Sequence, residues 1–276
     1  MKYYLENIKR YFVYIYLLIR NRKPHSIAVK LFSKISKENQ LLYSYENSLL
    51  KEKGSFVLIN NKWGEYKLKK DEVYFQEMFI SNDKYLWFFK TQNKNRGVIG
   101  FPEIFIGKTP FGGESTSLQL PKRIKDINVL NACYDVLMYI EPKKYNLVFD
   151  LWVTKNGKSE TKDISHEIMI WEDRNVATPA GKFIKIVKTR FGNYKMYHTW
   201  MDRSSEKLGV DGWFFTAFVR QDRRRSGTVD LLHFIYLMVV SELLSEYDLI
   251  STVEFGNEVY NSCGYTVVND YKLEIK

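Results

Sequence analysis

The chain has 276 residues, 45% of them hydrophobic and 16% aromatic with only 6 prolines, which excludes a disordered or fibrous protein and suits one large domain with an appendage or two small ones. Its formal charge of +10 is unevenly placed: residues 1–54 hold 11 Lys+Arg against 4 Asp+Glu, so the rest is close to neutral. A basic total concentrated in a prefix argues against a nucleic-acid-binding body, and no specific nucleic acid partner is expected.

In chain order, the first feature is "YFVYIYLLI", residues 11–19, an apolar run between Lys9-Arg10 and Arg20, Arg22 and Lys23. It is too short to span a bilayer as a helix. It resembles the hydrophobic region of a signal peptide, yet "RNRKPH" after it lacks a small-residue cleavage pattern. "SIAVKLFSKISK" then places Ile27, Leu31 and Ile35 at helical spacing beside Lys30, Lys34 and Lys37. Such a basic amphipathic helix can lie on an anionic membrane, dock on a larger assembly, or pack on its own domain. Residues 1–54 are therefore read as a partly helical basic extension, and residues 55–276 as the body.

From residue 55 the texture changes to short aromatic and β-branched runs punctuated by turn residues. "SFVLINNKWG", "KYLWFFKTQ", "GVIGFPEIFIG", "YDVLMYIE", "YNLVFDLWVTKNG", "HEIMIW", "KFIKIVKT", "YKMYHTW", "GWFFTAFVRQ", "TVEFGNEVY" and "DYKLEI" all read as strands. "RQDRRRSG", with Arg223 to Arg225, reads as a solvated loop before the single convincing helix, "TVDLLHFIYLMVVSELLSE" at 228–246, whose Asp230 favours its first turn. That helix is apolar over too much of its circumference to stand free. The fold expected is all-β: a two-sheet antiparallel β-jelly-roll sandwich with one packed helix. Cys133 and Cys263 have neither metal-ligand nor CxxC spacing and are two thiols or one disulfide; four scattered histidines form no ligand set. No metal or cofactor is expected, and His166 and His198 are read as structural.

The strand "HEIMIWEDRN" spends a charge in an apolar run. With period two, Glu167, Met169 and Trp171 share one face while His166, Ile168 and Ile170 share the other. An acid, a thioether and an indole on one surface suit a sugar-binding cleft. In "NLVFDLWV" the same parity puts Asp150 and Trp152 together. Glycoside hydrolysis generally needs a second carboxylate, and "STVEFGNEVYNSCG" offers Glu254 and Glu258, either of which qualifies on chemistry alone.

"NNKWG", "GFPEIFIGKTPFGG", "FDLWV", "HEIMIW", "GWFFTAF" and "EFGNE" resemble, in order and approximate spacing, the motifs of family 12 glycoside hydrolases, the compact β-jelly-roll endoglucanases and xyloglucanases. The resemblance covers roughly residues 55–276. It implies a polysaccharide substrate, with Glu167 as nucleophile, Glu258 as general acid/base and Asp150 as the aspartate that hydrogen-bonds the nucleophile; Glu254 becomes a neighbour of the site. Trp63, Met169 and Trp171 match ring-stacking or cleft-lining positions, and Glu103, Trp152, Trp200 and Trp213 are assigned more loosely to the cleft or its floor. The mechanism implied is retaining, with carboxyl groups about 5 to 5.5 Å apart. The sequence departs from the pattern in GNE for the usual GTE, which bears on the surroundings of Glu258, and in the charged "EDR" after Trp171, expected to bear on what the cleft accepts. An extracellular or surface-held location, on a cell envelope or virus particle, is expected. The alternative is a glycan-binding or structural protein of the same fold, mounted through the prefix.

Overall fold

Along Leu130–Glu141 fully buried residues alternate with more exposed ones, the pattern of a strand with one face on a core and one on water. Along Tyr145–Thr154 every residue is buried, so that strand is covered on both faces. The difference between these two strands locates the core on one side of the second sheet and a built surface on the other.

The computed structural model describes residues 42–44, 50–53, 55–69, 72, 74–81, 84–91, 97–141, 144–206 and 208–276. The hydrophobic stretch 11–19 and the amphipathic stretch 26–37 lie outside these residues. In chain order the strands are β1 (Leu42–Ser44), β2 (Leu50–Lys53), β3 (Phe56–Asn61), β4 (Tyr74–Ser81), β5 (Lys84–Thr91), β6 (Phe101–Thr109), β7 (Gly113–Glu114), β8 (Lys122–Arg123), β9 (Leu130–Glu141), β10 (Tyr145–Thr154), β11 (Ile164–Asn175), β12 (Lys182–Thr189), β13 (Gly192–Asp202), β14 (Gly212–Arg220), β15 (Ser226–Asp230), β16 (Leu249–Gly256) and β17 (Cys263–Ile275), with one α-helix among the described residues, α1 (Leu231–Val240). One sheet runs β1-β4-β5-β17-β9-β15; the larger runs β12-β13-β14-β11-β10-β16-β6-β3-β2, with β7 on β6 and β8 on β16. β1 and β2 lie ahead of residue 55 and pair with β4 and β3.

The core fills the space between the sheets. Leu147, Phe149, Leu151 and Val153 of β10 and Ile168 and Ile170 of β11 meet Trp87, Phe89, Tyr134, Val136 and Val268 of the other sheet. Phe149 and Phe255 sit with ring centroids 4.6 Å apart, and Tyr134 closes on Phe149 edge-on at 5.6 Å. Burial of such rings supplies most of the driving force.

Three expectations are corrected. The pairing is antiparallel except between β11 and β14, which run parallel, because the β12–β13 hairpin occupies the sheet edge and β14 returns between β13 and β11. The helix spans Leu231–Val240 rather than 228–246: Thr228 and Val229 are extended in β15 against Cys133 and Ala132, and Asp230 caps the helix by accepting from the His233 backbone N–H at 3.1 Å. α1 packs as expected, with Phe234 4.8 Å from both Tyr194 and Phe218. Finally, the arginine run lies in the β14–β15 loop with Arg223 exposed, but it is not simply solvated. Arg224 binds Glu172, and Arg225 donates to Asp173 at 2.8 Å. Cys133 and Cys263 are free thiols. Among the described residues no helix is long and apolar enough to cross a membrane.

Candidate active site

The outer face of the larger sheet carries the site. Directly paired residues point to the same side of a sheet, so the register fixes which side chains share this face. Across the strands, Glu254 lies opposite Asp150, Asp150 opposite Met169, and Met169 opposite Ala217. One position along, Trp152 is opposite Glu167 and Glu167 opposite Phe215. The inner-facing neighbours Leu151, Ile168 and Val253 are fully buried in the core. The expected alternation therefore holds for β10 and β11 up to Trp171.

Glu167 stands on one wall of this surface. The Trp213 indole N–H donates to its Oε2 at 2.7 Å, and the Arg203 guanidinium lies 5.1 Å from the Trp213 ring centre. Trp152 meets Trp213 edge-on at 5.3 Å, and Phe111, half exposed in the β6–β7 turn, meets Trp152 at 4.9 Å. Burial pushes the Glu167 carboxyl up to about 7; Trp213 and Arg203 pull it down, Glu258 and Glu254 push it further up.

Glu258 stands on the other wall, in the segment after β16. Its Oε2 accepts from the Tyr260 hydroxyl at 2.6 Å and from the Asn146 side-chain amide. Its backbone N–H donates to Asn146 Oδ1 at 2.9 Å. Burial raises this carboxyl, opposed by Tyr260, Asn146 and Lys144. Asn257, the departure in GNE, turns away from the cleft and is fully buried. Its Oδ1 accepts from Trp87 at 2.9 Å and Thr266 at 2.6 Å, while its amide donates to the Asn146 carbonyl. Asn257 thus ties the Glu258 segment and Asn146 to the core.

Between the walls Asp150 is buried, and burial together with the charges of Glu167, Glu254 and Glu258 holds its carboxyl well above the usual range. Glu103 and Glu254 lie beside it. Asn61 donates to Glu103 Oε1 at 3.1 Å, and Thr252 to Glu254 Oε1 at 3.1 Å.

The remaining sequence candidates divide. Trp63 is 42% exposed, with the Lys67 ammonium 4.5 Å from its ring centre. It is presented by a turn where Gly64 donates to the Ile99 carbonyl at 2.9 Å and where a Cβ would come 2.6 Å from Ile99 Cα. Met169 and Trp171 share the Glu167 face but are buried in an apolar cluster with Phe101, Phe215 and Tyr260. The Trp171 N–H points at Met169 Sδ, 3.4 Å away. They carry Tyr260 rather than offering a ring to solvent. Trp200 is a correction: it pairs with Phe214 while Trp213 pairs with Met201, so it faces away from Glu167. His166 and His198 stack on Phe214 on that same face, each 5.5 Å away.

The charges of "EDR" are corrected too. A bulge sets Leu147 opposite Asp173 and Val148 opposite Trp171, with Glu172 extra. Glu172 and Asp173 therefore both leave the cleft face. Glu172 is fully buried, taking the hydroxyls of Tyr134 at 2.7 Å and Tyr194.

Residues that sequence reasoning passed over are Asn146, Tyr260, Arg203 and Phe111; Trp213 was placed only loosely. The parity of "GWFFTAF" aligns Trp213 with Phe215 and Ala217, and it points to the cleft only once the β11–β14 register is known.

A family model described as glycosyl hydrolase family 12 matches residues 54–276. Endoglucanase S of Pectobacterium parmentieri is 24% identical over 226 residues, 80% of this chain and 82% of that protein. A family 12 xyloglucanase from Bacillus licheniformis superposes with a TM-score of 0.77 at 23% identity, covering 85% of this chain and 100% of the other. Endoglucanase cel12A from Rhodothermus marinus gives 0.72 at 18% identity, covering 85% and 99%.

Proposed function

Because the chain belongs to glycosyl hydrolase family 12 and is a glycoside hydrolase, we propose that it cleaves β-1,4-glucan chains internally, with retention, through a glycosyl-enzyme on Glu167. The observation that carries this reading is the placing of Glu167 and Glu258 on opposite sides of Asp150, each held by its own donors.

Glu167 attacks the anomeric carbon. The Trp213 donor on Oε2 fixes the carboxylate plane and leaves Oε1 for the new bond. Both donors to Glu258 fall on its Oε2, which leaves Oε1 to carry the proton delivered to the departing glycosidic oxygen. Once the leaving chain departs, ionised Glu258 takes a proton from water, which releases the sugar from Glu167. Asp150 fixes the orientation and ionisation of Glu167, and the exposed Trp63 ring stacks on a sugar further along the cleft. Enzymes of this chemistry work outside the cell, and residues 1–54 are proposed to route the chain there or hold it at a surface.

The test is hydrolysis of carboxymethylcellulose, mixed-linkage glucan and xyloglucan. Cleavage of at least one, with a rapid fall in viscosity, is expected. Glycan binding without cleavage of any would replace the enzyme with a binding protein. The pH profile is a second check. Glu167 must be ionised and Glu258 protonated, so kcat/KM is expected to rise as pH increases through about 7 and to fall again where Glu258 loses its proton. An acidic limb in the ordinary carboxylate range, near pH ~4, would contradict the buried placing of Glu167.

A further inference from the structure

Two carboxyls that take no part in bond breaking lie together under the cleft. Glu254 on β16 is opposite Phe105, and Glu103 on β6 is opposite Gly256. They are diagonal neighbours on one face, within reach of long side chains. Gly256 allows the approach, since a Cβ there would come 2.3 Å from the Pro102 carbonyl oxygen. The two side chains are in hydrogen-bond contact and both are buried.

Their donors differ. Glu254 accepts from the Thr252 hydroxyl, and the Trp152 indole favours its anion. Glu103 accepts from Asn61 on Oε1, whereas no donor among the described residues reaches its buried Oε2. The buried Oδ1 of Asp150, opposite Glu254, likewise meets no donor among the described residues. Two buried carboxyls in contact share one negative charge, and the proton falls to the one with a buried oxygen that no donor reaches, Glu103 through its Oε2.

We propose that Glu103 and Glu254 form a pair holding one proton, Glu103 donating from Oε2 to Glu254, and that the single negative charge of this pair keeps Asp150 protonated beside Glu167. From β6 through β16 and β10 to β11 the carboxyls then read neutral, charged, neutral, charged. Glu103 and Glu254 are positioning residues: they act through Asp150 on the ionisation of Glu167. The other groups facing this row are Glu258 on the far wall with Tyr260 and Lys144 beside it, and Arg203 beside Glu167. The directions agree: burial first, then Glu254, raises Glu103, while Glu167 and Glu254 after burial raise Asp150.

The kinetic consequence rests on Glu167 as nucleophile, so the test has one readout that does not. In carboxyl-13C NMR of the full chain at pH 7, one glutamate signal at the protonated position, beside those of the acid Glu258 and the titrating Glu167, is expected to be lost in Glu103→Gln. A set of protonated glutamate signals unchanged by Glu103→Gln overturns the pair whatever the enzyme cleaves.

The second readout is the kcat/KM profile. In Glu103→Gln/Glu254→Gln the acidic limb is expected to move up by about half a pH unit or more, because Asp150, no longer opposed by the pair's charge, ionises one strand (~5 Å) from Glu167 and disfavours its charged form. In Glu103→Gln alone the amide still donates to Glu254, so the limb stays. A folded double variant with reduced rate but an unmoved limb would make the pair purely structural and overturn its electrostatic role.

Discussion

Glu167→Gln is expected to lower kcat/KM on β-glucan by roughly 10⁴-fold or more at every pH, because the amide cannot form the glycosyl ester on which both half-reactions depend. The substitution is nearly isosteric. The Gln carbonyl still accepts from Trp213, which donates to Oε2 at 2.7 Å in the native chain, and a buried charge is removed. The variant should therefore fold at least as stably as the wild type, so that loss of rate is read as loss of chemistry. The measurement is initial rate beside a melting temperature on the same preparation. A well-folded variant retaining more than a tenth of the activity would remove Glu167 from the mechanism.

The largest effect on stability is expected on the opposite face of the same strand. Glu172 is fully buried and is held by Arg224 and by the hydroxyls of Tyr134 and Tyr194. Arg224 also donates to the Thr228 carbonyl at 2.7 Å and so ties β15 to β11. Removing one member of a buried ion pair leaves an uncompensated charge, and Arg224→Ala should cost about 3 kcal/mol, the lower part of the usual range because the two tyrosines still donate. For a body of this size that is a fall in melting temperature of about 6 to 12 °C. Activity at 20 °C should be little changed, since Glu172 faces the core side and Glu167 the cleft. Arg224→Lys, which keeps the charge without the fork, should fall between the two. An unchanged melting temperature in Arg224→Ala would show that Glu172 is neutral or solvated in the native protein.

The two variants separate what could be read from the sequence from what could not. Period-two alternation along "NLVFDLWV" and "HEIMIW" placed Asp150, Trp152, Glu167 and Met169 on one face, because both strands lie flat in the middle of the sheet where parity is conserved. Parity failed at "WEDR", where the bulge at Glu172 turns Asp173 from the cleft face to the core side beside it. Nothing local announces a bulge there. The arginines that receive those charges lie some 50 residues away in sequence, so the run "RRR" looked like a surface loop.

Trp200 shows a related failure. Its strand was recognised, but which face it presents depends on register with β14, and a one-residue offset reverses every side chain. Asn146 and Tyr260 carry no motif at all. They reach Glu258 only because the segment after β16 continues alongside the start of β10, where Asn257 and Glu258 bond Asn146, with Asn257 anchored between Trp87 and Thr266. The helix boundary was misplaced for a local reason: apolar periodicity continued through residues that pair as strand, and Asp230 was read as a first-turn residue when it is the cap.

The most direct test of the account is covalent trapping. A cello-oligosaccharide donor bearing fluorine at C2 and a good leaving group slows release of the sugar more than its attachment, so the intermediate accumulates on the enzyme. Peptide mapping of the trapped protein by mass spectrometry is expected to place one glycosyl unit on Glu167, in the peptide containing HEIMIW. A glycosyl group on Glu258, Glu254 or any other carboxylate, or turnover to the inverted anomer with no adduct formed, would contradict it.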